Sequence, residues 1–382
     1  MIKSFFLKFA KKAYLFFQRD YHSKTNYNKN VFISYIPGPL FKKKSDEKYF
    51  SKHQNRREIT IIVKIFEEMH YNVHCRRFDK PILFPKKYDI VFGLEPNFER
   101  VCKKNKNAIK IYYATGSYYK HQNRMIKERT DEFNQKNNTN IQYSRLVPQH
   151  NSCEISDYII QIGGEYTLET YPKEIQKKVM TIHQSKIDCD KRIIPDEKIR
   201  TSNSNEFIWI GSQGSILKGL DLIIDYFSKN PNQICHCFGQ LENDFNQYVK
   251  TNKLKENIIF HGFVNIRSKE VQDILDRALF CILPSGSEGC PGGILYLIEK
   301  GLIPIVSKYA TFYSFKNGEN GILIEELSEI GLEKAINKTS SMDRTKLKDI
   351  IYNNLVVASE YNLMSFENDF KSSLKKIISI RS

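Results

Sequence analysis

One stretch of the sequence joins a single carboxylate to a glycine-rich helix start. An apolar run ends at Pro284, Glu288 follows in a loop, and Gly289 and the pair Gly292 and Gly293 precede an apolar helical pattern. Glycines at a helix start let backbone N–H groups approach an anion, and the helix dipole adds to the attraction. A carboxylate there is unsuited to phosphate, so its use would be to accept hydrogen bonds from hydroxyl groups, as on a sugar. The alternative is an ordinary strand, turn and helix with an exposed glutamate.

A second polar loop supplies a cation. Residues 211–219 read Gly-Ser-Gln-Gly-Ser-Ile-Leu-Lys-Gly and lie between a predicted strand and a predicted helix. Lys218 falls where the helix begins, which is a suitable position for binding phosphate. Gly239 and Gly262 each lie at the end of a further predicted strand.

Short apolar runs alternate with helical patterns along the chain, and this alternation predicts parallel, doubly wound sheets. In the first half the predicted strands are 31–36, 71–75, 89–93, 109–114 and 157–162, with a helix over 55–70. In the second half the predicted strands are 207–210, 234–238, 258–261, 279–283 and 303–307, with helices over 219–227, 271–278, 292–300 and 361–380.

A chain of 382 residues is long enough for two domains. The stretch 185–205 is rich in Lys, Arg and Ser, contains Pro195, and suits a linker. We therefore expect an N-terminal domain over 25–187 and a C-terminal domain over 188–360. An amphipathic helix over 1–24 would precede them, and a helix over 361–382 would follow and could pack on the N-terminal domain. The polar stretch 131–140 is expected to be a solvated loop or helix end.

Taken in order and with their spacing, the motifs between residues 206 and 326 resemble the donor-binding domain of retaining family 4 glycosyltransferases (glycosyl transferases group 1) of the GT-B fold. The resemblance implies an α/β fold of two Rossmann-like, doubly wound parallel-sheet domains facing each other across a cleft. It also implies a nucleotide-diphosphate sugar as co-substrate in the C-terminal domain and a saccharide or lipid-linked acceptor on the N-terminal domain. Retention of the anomeric configuration, without a metal or other cofactor, is implied as well.

The resemblance also implies roles for individual residues. Lys218 would neutralise the donor diphosphate, with support from backbone amides near Gly292 and Gly293. Glu288 would bind hydroxyl groups of the donor sugar. A positive charge on the departing diphosphate stabilises the charge that develops as the glycosidic bond breaks. The other expected donor-binding positions are Gly38, Gly211, Ser212, Gly262, Gly289 and Tyr296.

The N-terminal half offers candidates with an open alternative. His121 comes in the loop expected after the strand 109–114, where the family has a histidine that faces the donor sugar; the alternative is a surface histidine beside Lys120. The helix predicted after the first strand starts with residues that could touch the acceptor or form a solvated helix end, namely His53, Asn55, Arg56, Arg57 and Glu58. Arg124 and Arg129 have no assigned role.

Two positions depart from the family pattern. Tyr296 stands where the family usually has a second glutamate, which normally meets the ribose, and Glu299 lies almost one helical turn farther on. Ser212 stands where the family often has an arginine. These departures leave two interpretations open: a glycosyltransferase of surface polysaccharide or glycolipid synthesis, and a non-catalytic sugar- or nucleotide-binding protein of the same fold.

The composition narrows the partners to polyanions, because the formal net charge is +16. No recognisable nucleic-acid module accompanies this charge, so nucleic acid is not an expected partner. Residues 1–19 have the basic, aromatic amphipathic pattern of a helix lying on an anionic membrane, or of a helix packed on its own domain. The eight cysteines include no paired C-x-x-C. No export signal precedes them, so we expect reduced thiols in a cytoplasmic protein. The amphipathic pattern of residues 1–19 would place this protein peripherally at the inner face of the membrane.

Overall fold

The computed structural model describes residues 19–381 with the exception of 81, 83–85, 188, 190–192 and 253. Residues 1–18, which carry most of the predicted amphipathic helix and membrane contact, lie outside this part of the chain. Tyr21–His22 is a short strand, so the helix predicted for 1–24 is wrong at this end. None of the described helices is both long and apolar enough to cross a membrane.

The strands are β1 (Tyr21–His22), β2 (Lys29–Tyr35), β3 (Tyr71–Arg77), β4 (Ile90–Gly93), β5 (Ile109–Ala114), β6 (Tyr158–Ile162), β7 (Val179–Ile182), β8 (Asn203–Ile210), β9 (Ile234–Phe238), β10 (Ile258–Gly262), β11 (Ala278–Leu283), β12 (Ile303–Ser307) and β13 (Ile322–Ile324). The α-helices are Glu47–Phe50, Asn55–Glu68, Asn97–Lys104, Tyr119–Asn137, Ser152–Ile155, Glu165–Glu169, Lys173–Gln176, Pro195–Thr201, Leu220–Lys229, Asn243–Thr251, Lys269–Arg277, Gly292–Glu299, Glu329–Ser340, Arg344–Glu360 and Leu363–Arg381. Two 3₁₀ helices span Gly38–Phe41 and Lys308–Ala310.

The sheet of the N-terminal domain has the order β1-β3-β2-β4-β5-β6-β7 and is parallel except for β1, which runs antiparallel to β3. Its central strands are continuous apolar runs because helices cover both faces. One face packs against the helices Asn55–Glu68 and Leu363–Arg381. The other face packs against residues of the helices Asn97–Lys104 and Tyr119–Asn137.

The sheet of the C-terminal domain has the order β10-β9-β8-β11-β12-β13, and all its strands are parallel. The strand order reverses between β8 and β11, and ligands of open α/β sheets bind in the crevice beyond the carboxyl ends at such a point. Two doubly wound parallel sheets confirm the predicted fold class. A ligand-binding site is therefore expected at the loops that follow β8 and β11.

The structure adds elements that the apolar pattern did not reveal. The strands β1, β7 and β13 are two to four residues long, too short for a periodic pattern. The predicted linker contains the helix Pro195–Thr201, which begins with a proline at its first position. Lys198 of this helix is buried and its Nζ donates to the carbonyl of Leu275 at 2.7 Å, so this part of the stretch is packed rather than a free linker.

The C-terminal helix Leu363–Arg381 packs on the N-terminal domain, although the C-terminal domain precedes it in the chain. Phe366, Phe370, Leu374 and Ile377 are fully buried in the core formed with the helix Asn55–Glu68. Ion pairs between the two helices flank this contact, with Lys64 Nζ 2.7 Å from a carboxylate oxygen of Glu367 and Lys371 Nζ 2.6 Å from one of Glu68. After the C-terminal domain, the chain therefore returns to the N-terminal domain through its last helix.

The helix Tyr119–Asn137 joins the N-terminal domain to the C-terminal one. Phe133 from its last turns and Ile141 just beyond it belong to the hydrophobic core of the C-terminal domain. Arg129 Nη2 donates to both carboxylate oxygens of Asp221, at 2.8 and 2.7 Å, and both residues are buried. Burial raises the pKa of Asp221, and the Arg129 charge opposes this effect. The ion pair therefore depends on both partners, because either charge alone would be buried without compensation.

A second buried carboxyl group connects the helix Asn55–Glu68 to the segment between the domains. Glu58 is 1% exposed, and its Oε1 accepts hydrogen bonds from the backbone N–H and the hydroxyl of Ser185, at 2.9 and 2.8 Å. Burial raises the pKa of Glu58 to about 7, and the two bonds from Ser185 oppose the rise. Glu58 is thus a structural group and not a solvated helix end.

The interdomain ion pair gives the first prediction. Arg129→Met should destabilise the protein by about 3–5 kcal/mol, because Asp221 stays buried without its partner. The double variant with Asp221→Leu should recover most of that loss, since replacing both charges by apolar groups is often neutral or stabilising. Urea unfolding followed by circular dichroism measures both. Lys136→Ala, which breaks the exposed pair with Asp225, is the control and should cost under about 1 kcal/mol. A double variant no more stable than Arg129→Met would contradict this account.

The second prediction concerns pH. The folded pKa of Glu58 lies above its usual value of 4.5, so the folded state binds this proton more tightly than the unfolded state does. Its contribution to stability is therefore complete below about pH 4.5 and is lost as the pH rises through about 7. Glu58→Gln keeps an acceptor oxygen but cannot ionise. Its stability relative to the unmodified protein should therefore rise between pH 5 and 8, by an amount on the order of 3 kcal/mol.

Thermal unfolding at several pH values measures this difference. Glu128→Gln, at an exposed position on the helix Tyr119–Asn137, serves as the control and should show no such trend. A stability difference for Glu58→Gln that stays constant with pH would show that Glu58 does not titrate in this range.

Candidate functional site

The loops after β8 and β11 lie against each other at a distance that only glycine permits. Gly219 adopts a left-handed conformation with φ +71°, and a Cβ atom there would lie 2.2 Å from the carbonyl oxygen of Pro284. The backbone N–H of Gly286 donates to the carbonyl of Leu217 at 2.8 Å. Because β8 and β11 are neighbouring parallel strands, their carboxyl ends bring Lys218 and Glu288 together.

The contact between Lys218 and Glu288 is a direct ion pair at the strand reversal. The exposed fractions of the two side chains are 9% and 12%, so water screens this pair little. Ser285 Oγ donates to the same carboxylate oxygen of Glu288 at 3.0 Å. Indole Nε1 of Trp209 donates to the Lys218 carbonyl at 3.1 Å and fixes the backbone from below. The pair is therefore held by the folded loops rather than by two flexible surface side chains.

The ion pair borders a cavity of about 400 Å³ between the domains, which we call the cleft. Seven of the residues expected at a donor site line it: Gly211, Ser212, Lys218, Glu288, Gly292, Gly293 and Tyr296. Residues of the N-terminal domain and the connecting segment also line it: Lys52, His53, Gln54, Arg145, Gln184, Lys186 and Ile187. The structure thus brings together most of the expected set around one cavity.

The N-terminus of the helix Gly292–Glu299 opens into the cleft beside an amide group. Gln184 is 5% exposed, and its Nε2 has no hydrogen-bond partner among the described residues. This Nε2 lies 3.0 Å from where a Cβ on Gly292 would be. A buried amide donor without an acceptor costs free energy unless a ligand or water satisfies it. Gln184 was not identified from the sequence, because no local pattern distinguishes it.

Three of the expected glycines lie elsewhere. Gly289 faces the N-terminal domain, where its carbonyl accepts from Thr167 Oγ1 at 2.9 Å. The carbonyl of Gly262 accepts from the N–H of Gly239 at 2.9 Å, and Gly262 is absent from the cleft lining. Gly38 begins a 3₁₀ helix and is also absent from the lining. These glycines have roles in backbone geometry in this structure.

His121 lies in the first turn of the helix Tyr119–Asn137, so its expected position in a loop is wrong. It is buried, which excludes the surface alternative, and its Nε2 donates to the carbonyl of Gly286 at 3.0 Å. Burial and the nearby Arg124 and Lys308 lower the pKa of His121, while the bond to Gly286 opposes this. His121 lines a separate depression of about 440 Å³, which shares no lining residue with the cleft. In this structure His121 therefore stabilises the loop that carries Glu288 through its bond to Gly286.

The expected ribose position presents a neutral hydroxyl group instead of a carboxylate. Tyr296 lines the cleft, and its hydroxyl accepts a hydrogen bond from Gln272 Nε2 at 3.0 Å. Burial raises the pKa of Tyr296 to about 12. Glu299 accepts from Lys186 Nζ at 2.6 Å and from the backbone N–H of Cys189 at 3.0 Å. Glu299 therefore holds the connecting segment and does not replace the missing carboxylate.

The residues considered for the acceptor separate into two groups. His53 lines the cleft, and Arg57 lines an adjoining cavity of about 450 Å³ where it pairs with Glu47. Arg56 donates to the carbonyl of Tyr49 at 2.7 Å. Asn55 is the first residue of the helix Asn55–Glu68. Glu58 is buried away from both cavities, as described above.

Glu288 is the sole carboxylate among the described residues of the cleft lining, so the lining lacks the set of oxygen ligands that a divalent cation prefers. One cluster with ligand types for a cation occurs in the described chain, Asp20, His22 and His74 at the edge of the N-terminal sheet. Asp20 already binds Arg76 there. The eight cysteines are free, and burial raises the pKa of the Cys290 thiol, which lines the cleft in its protonated form.

Known proteins resemble this chain in sequence over its second half and in structure over most of its length. Residues 191–355 match the family model for glycosyl transferases group 1. No curated protein matches the sequence. Sucrose-phosphate synthase from Thermosynechococcus elongatus is similar in structure, with a TM-score of 0.58, 9% identity, and coverage of 92% of this chain and 100% of that one. WaaG, a glycosyltransferase involved in lipopolysaccharide biosynthesis, has a TM-score of 0.52, 13% identity, and coverage of 89% and 98%.

A point mutant of TarM from S. aureus, in complex with Fondaparinux, alpha-GlcNAc-glycerol and UDP, has a TM-score of 0.50 and 12% identity. That match covers 74% of this chain but 54% of TarM, so the chain spans about half the length of this relative. Residues 191–355 therefore resemble the glycosyl transferases group 1 family, and the chain as a whole has the GT-B fold.

Proposed function

We propose that the protein transfers a sugar from a nucleotide-diphosphate donor to a hydroxyl acceptor with retention of configuration. The observation that carries this proposal is the buried ion pair between Lys218 and Glu288 at the strand reversal of the C-terminal sheet. A cation for phosphate and a carboxylate for hydroxyl groups, side by side, match a ligand that has both groups.

The ion pair also suggests how the donor enters. Without a ligand, the two charges neutralise each other in a site that water screens little. A phosphate alone would take Lys218 and leave Glu288 unpaired next to an anion. A sugar diphosphate replaces both partners, because its phosphate oxygens accept from Lys218 while its hydroxyl groups donate to Glu288. The site therefore favours the complete donor over either half.

In the transfer step, the bond between the anomeric carbon and the diphosphate oxygen breaks, and a bond from the acceptor oxygen to that carbon forms on the same face. The proton of the acceptor hydroxyl passes to the leaving diphosphate. Lys218 and the N–H groups at the start of the helix Gly292–Glu299 stabilise the negative charge that grows on the leaving group. Gln184 Nε2, next to this helix start, donates a further hydrogen bond to the ligand.

The acceptor occupies the cavity of about 450 Å³ that adjoins the cleft. The two cavities share Gln54, Lys186 and Ile187, so a ligand in one can reach a ligand in the other. The adjoining cavity is lined by residues of both domains, including Arg57 and Arg267. Its polar lining suits a saccharide or the head group of a lipid-linked saccharide.

The product belongs to surface polysaccharide or glycolipid synthesis, with the enzyme in the cytoplasm at the inner face of the membrane. Two observations support this part of the proposal. WaaG, which is similar in structure, is involved in lipopolysaccharide biosynthesis. The basic amphipathic pattern of residues 1–19 suits an anionic membrane surface, where lipid-linked acceptors lie.

A second candidate function is non-catalytic binding of a sugar or nucleotide. The neutral Tyr296 hydroxyl in the place of the expected second glutamate favours it, because the ribose loses a carboxylate partner. The exposed Ser212 in the place of an arginine favours it as well. Both candidates predict ligand binding, and turnover separates them.

The third prediction is a thermal-shift screen of nucleoside diphosphates and nucleotide sugars without added metal. We expect one nucleotide to raise Tm, because a ligand that binds the folded state stabilises it. Lys218→Ala should lose this shift, with affinity lower by about tenfold or more. Lys229→Ala is the matched control, since Lys229 forms an exposed ion pair with Glu329 in the same domain. No shift with any nucleotide would contradict the proposed donor.

The fourth prediction separates the enzyme from the binding protein. Glu288→Gln keeps the size of the side chain and removes the charge that accepts from sugar hydroxyl groups. Transfer from the nucleotide sugar found in the screen should fall by about 100-fold or more, while the free nucleoside diphosphate still binds. Glu329→Gln is the matched control and should transfer at the unmodified rate. Nucleotide binding without transfer by the unmodified protein, across a panel of acceptors, would favour the non-catalytic function.

A further inference from the structure

Within the loop 211–219, which the structure describes in full, Lys218 is the one cation available for a diphosphate. Lys218 is engaged by Glu288, and the neighbouring position Ser212 is neutral. Lys186, which also lines the cleft, donates to Glu299 at 2.6 Å. A diphosphate carries at least two negative charges, so one shared lysine neutralises it incompletely. A further cation near the loop 211–219 would complete the site.

Arg145 of the N-terminal domain lies at this place. It lines the cleft together with Gly211, Ser212 and Lys218. Its Nη1 donates to the carbonyl of Gln213, in the middle of the loop, at 3.1 Å. No carboxylate of the described chain is seen to pair with Arg145, and the residue is exposed, so its charge is free to meet a ligand.

The close fit of Arg145 on the loop depends on a glycine. Gly214 has φ +97°, and a Cβ atom there would lie 2.8 Å from Cδ of Arg145. The two amides beside this position are already satisfied, because Glu242 accepts from the N–H of Gly214 and from the N–H of Ser215. These two amides are therefore bonded to Glu242, and Arg145 is the side-chain donor that lies on this part of the loop.

The backbone of Arg145 is held in an uncommon conformation. Its φ is +63°, in the left-handed region that non-glycine residues rarely adopt. Gln122 Nε2 donates to its carbonyl at 3.1 Å, and Asn123 bonds both the N–H and the carbonyl of Val147, each at 2.8 Å. Both bonding side chains come from the helix Tyr119–Asn137. The conformation is therefore imposed by a rigid element and directs the side chain across the domain boundary.

The segment that carries Arg145 is also anchored to the C-terminal domain. Ile141 is buried in the core of that domain, and the N–H of Gln142 donates to a carboxylate oxygen of Asp244 at 2.7 Å. The buried pair of Arg129 and Asp221 holds the preceding helix to the same domain. Arg145 is thus positioned on the donor side of the cleft although the N-terminal domain supplies it.

We propose that Arg145 binds the diphosphate of the donor as the second cation of the site, supplied across the domain boundary in place of an arginine at position 212. This inference rests on the proposed function, since it names a further residue for the same donor. On binding, the guanidinium fork keeps its bond to Gln213 and directs its other N–H groups to phosphate oxygens near Lys218. Lys52, which also lines the cleft, makes no described contact with the loop 211–219.

The experiment compares the nucleoside diphosphate that shifts Tm with the monophosphate of the same nucleoside, by isothermal titration calorimetry. Arg145→Ala should weaken binding of the diphosphate by about tenfold and binding of the monophosphate by less than about twofold. Arg145→Lys should fall between, because the charge remains and the fork is lost. Arg100→Ala is the matched control, since Arg100 is an exposed arginine of the same domain that bonds Asn97 away from the cleft.

A rescue variant separates charge from loop structure. Ser212→Arg in the Arg145→Ala background should restore at least half of the lost preference for the diphosphate, whereas a loop that needed only the Gln213 contact would not be restored. If the unmodified protein prefers the diphosphate and Arg145→Ala keeps that preference, the inference is wrong while the proposed function stands. If the unmodified protein binds neither nucleotide, the proposed function fails and this inference fails with it.

Discussion

The contact between the loops after β8 and β11 is the constraint on which the cleft depends. Parallel neighbouring strands bring the two loops to one edge of the sheet, and the left-handed Gly219 lets the backbone approach the carbonyl of Pro284 within a distance that any side chain would prevent. Lys218 and Glu288 then lie close enough to form an ion pair, and only 9% and 12% of their side chains are exposed. A close backbone approach therefore creates a buried pair of opposite charges, and the chemistry of the site follows from this pair.

The two domains are joined by connecting segments and also contact each other through apolar packing and a buried ion pair. The helix Tyr119–Asn137 contributes Phe133 to the core of the C-terminal domain, and Arg129 forms a buried ion pair with Asp221. His121, from the same helix, bonds the loop that carries Glu288. Opening the domains widely would expose this apolar contact and separate the buried charges, which costs several kcal/mol. These contacts therefore hold the cleft in the observed shape, and the proposed donor would need little free energy for closure.

The fold was predictable from the sequence, and so were two residues that border the cleft, because their signals are local. Apolar strands, a glycine-opened helix and the residues Lys218 and Glu288 occur as short patterns with defined spacing, and the structure places them at neighbouring strand ends. Gln184 and Arg145 could not be found in this way, because each reaches the cleft only through packing between distant segments. His121 lies in a helix where the sequence suggested a loop, and its ring bonds the carbonyl of Gly286, while its expected role toward the donor sugar stays a prediction.

The two departures from the family pattern have opposite electrostatic effects. Ser212 removes a positive charge that the pattern includes, and Tyr296, with a pKa of about 12, removes a negative one. The formal charge of the cleft is thus the same as it would be with the arginine and the glutamate of the family pattern. At distances longer than the spacing of these charges, the attraction for a diphosphate would therefore be unchanged. What changes is the directional bonding. A carboxylate accepts from two ribose hydroxyl groups, whereas the Tyr296 hydroxyl already accepts from Gln272. If the protein binds the proposed donor, selection among nucleotides at this corner of the cleft would depend on shape and on neutral hydrogen bonds, and the diphosphate would supply the main electrostatic part of binding.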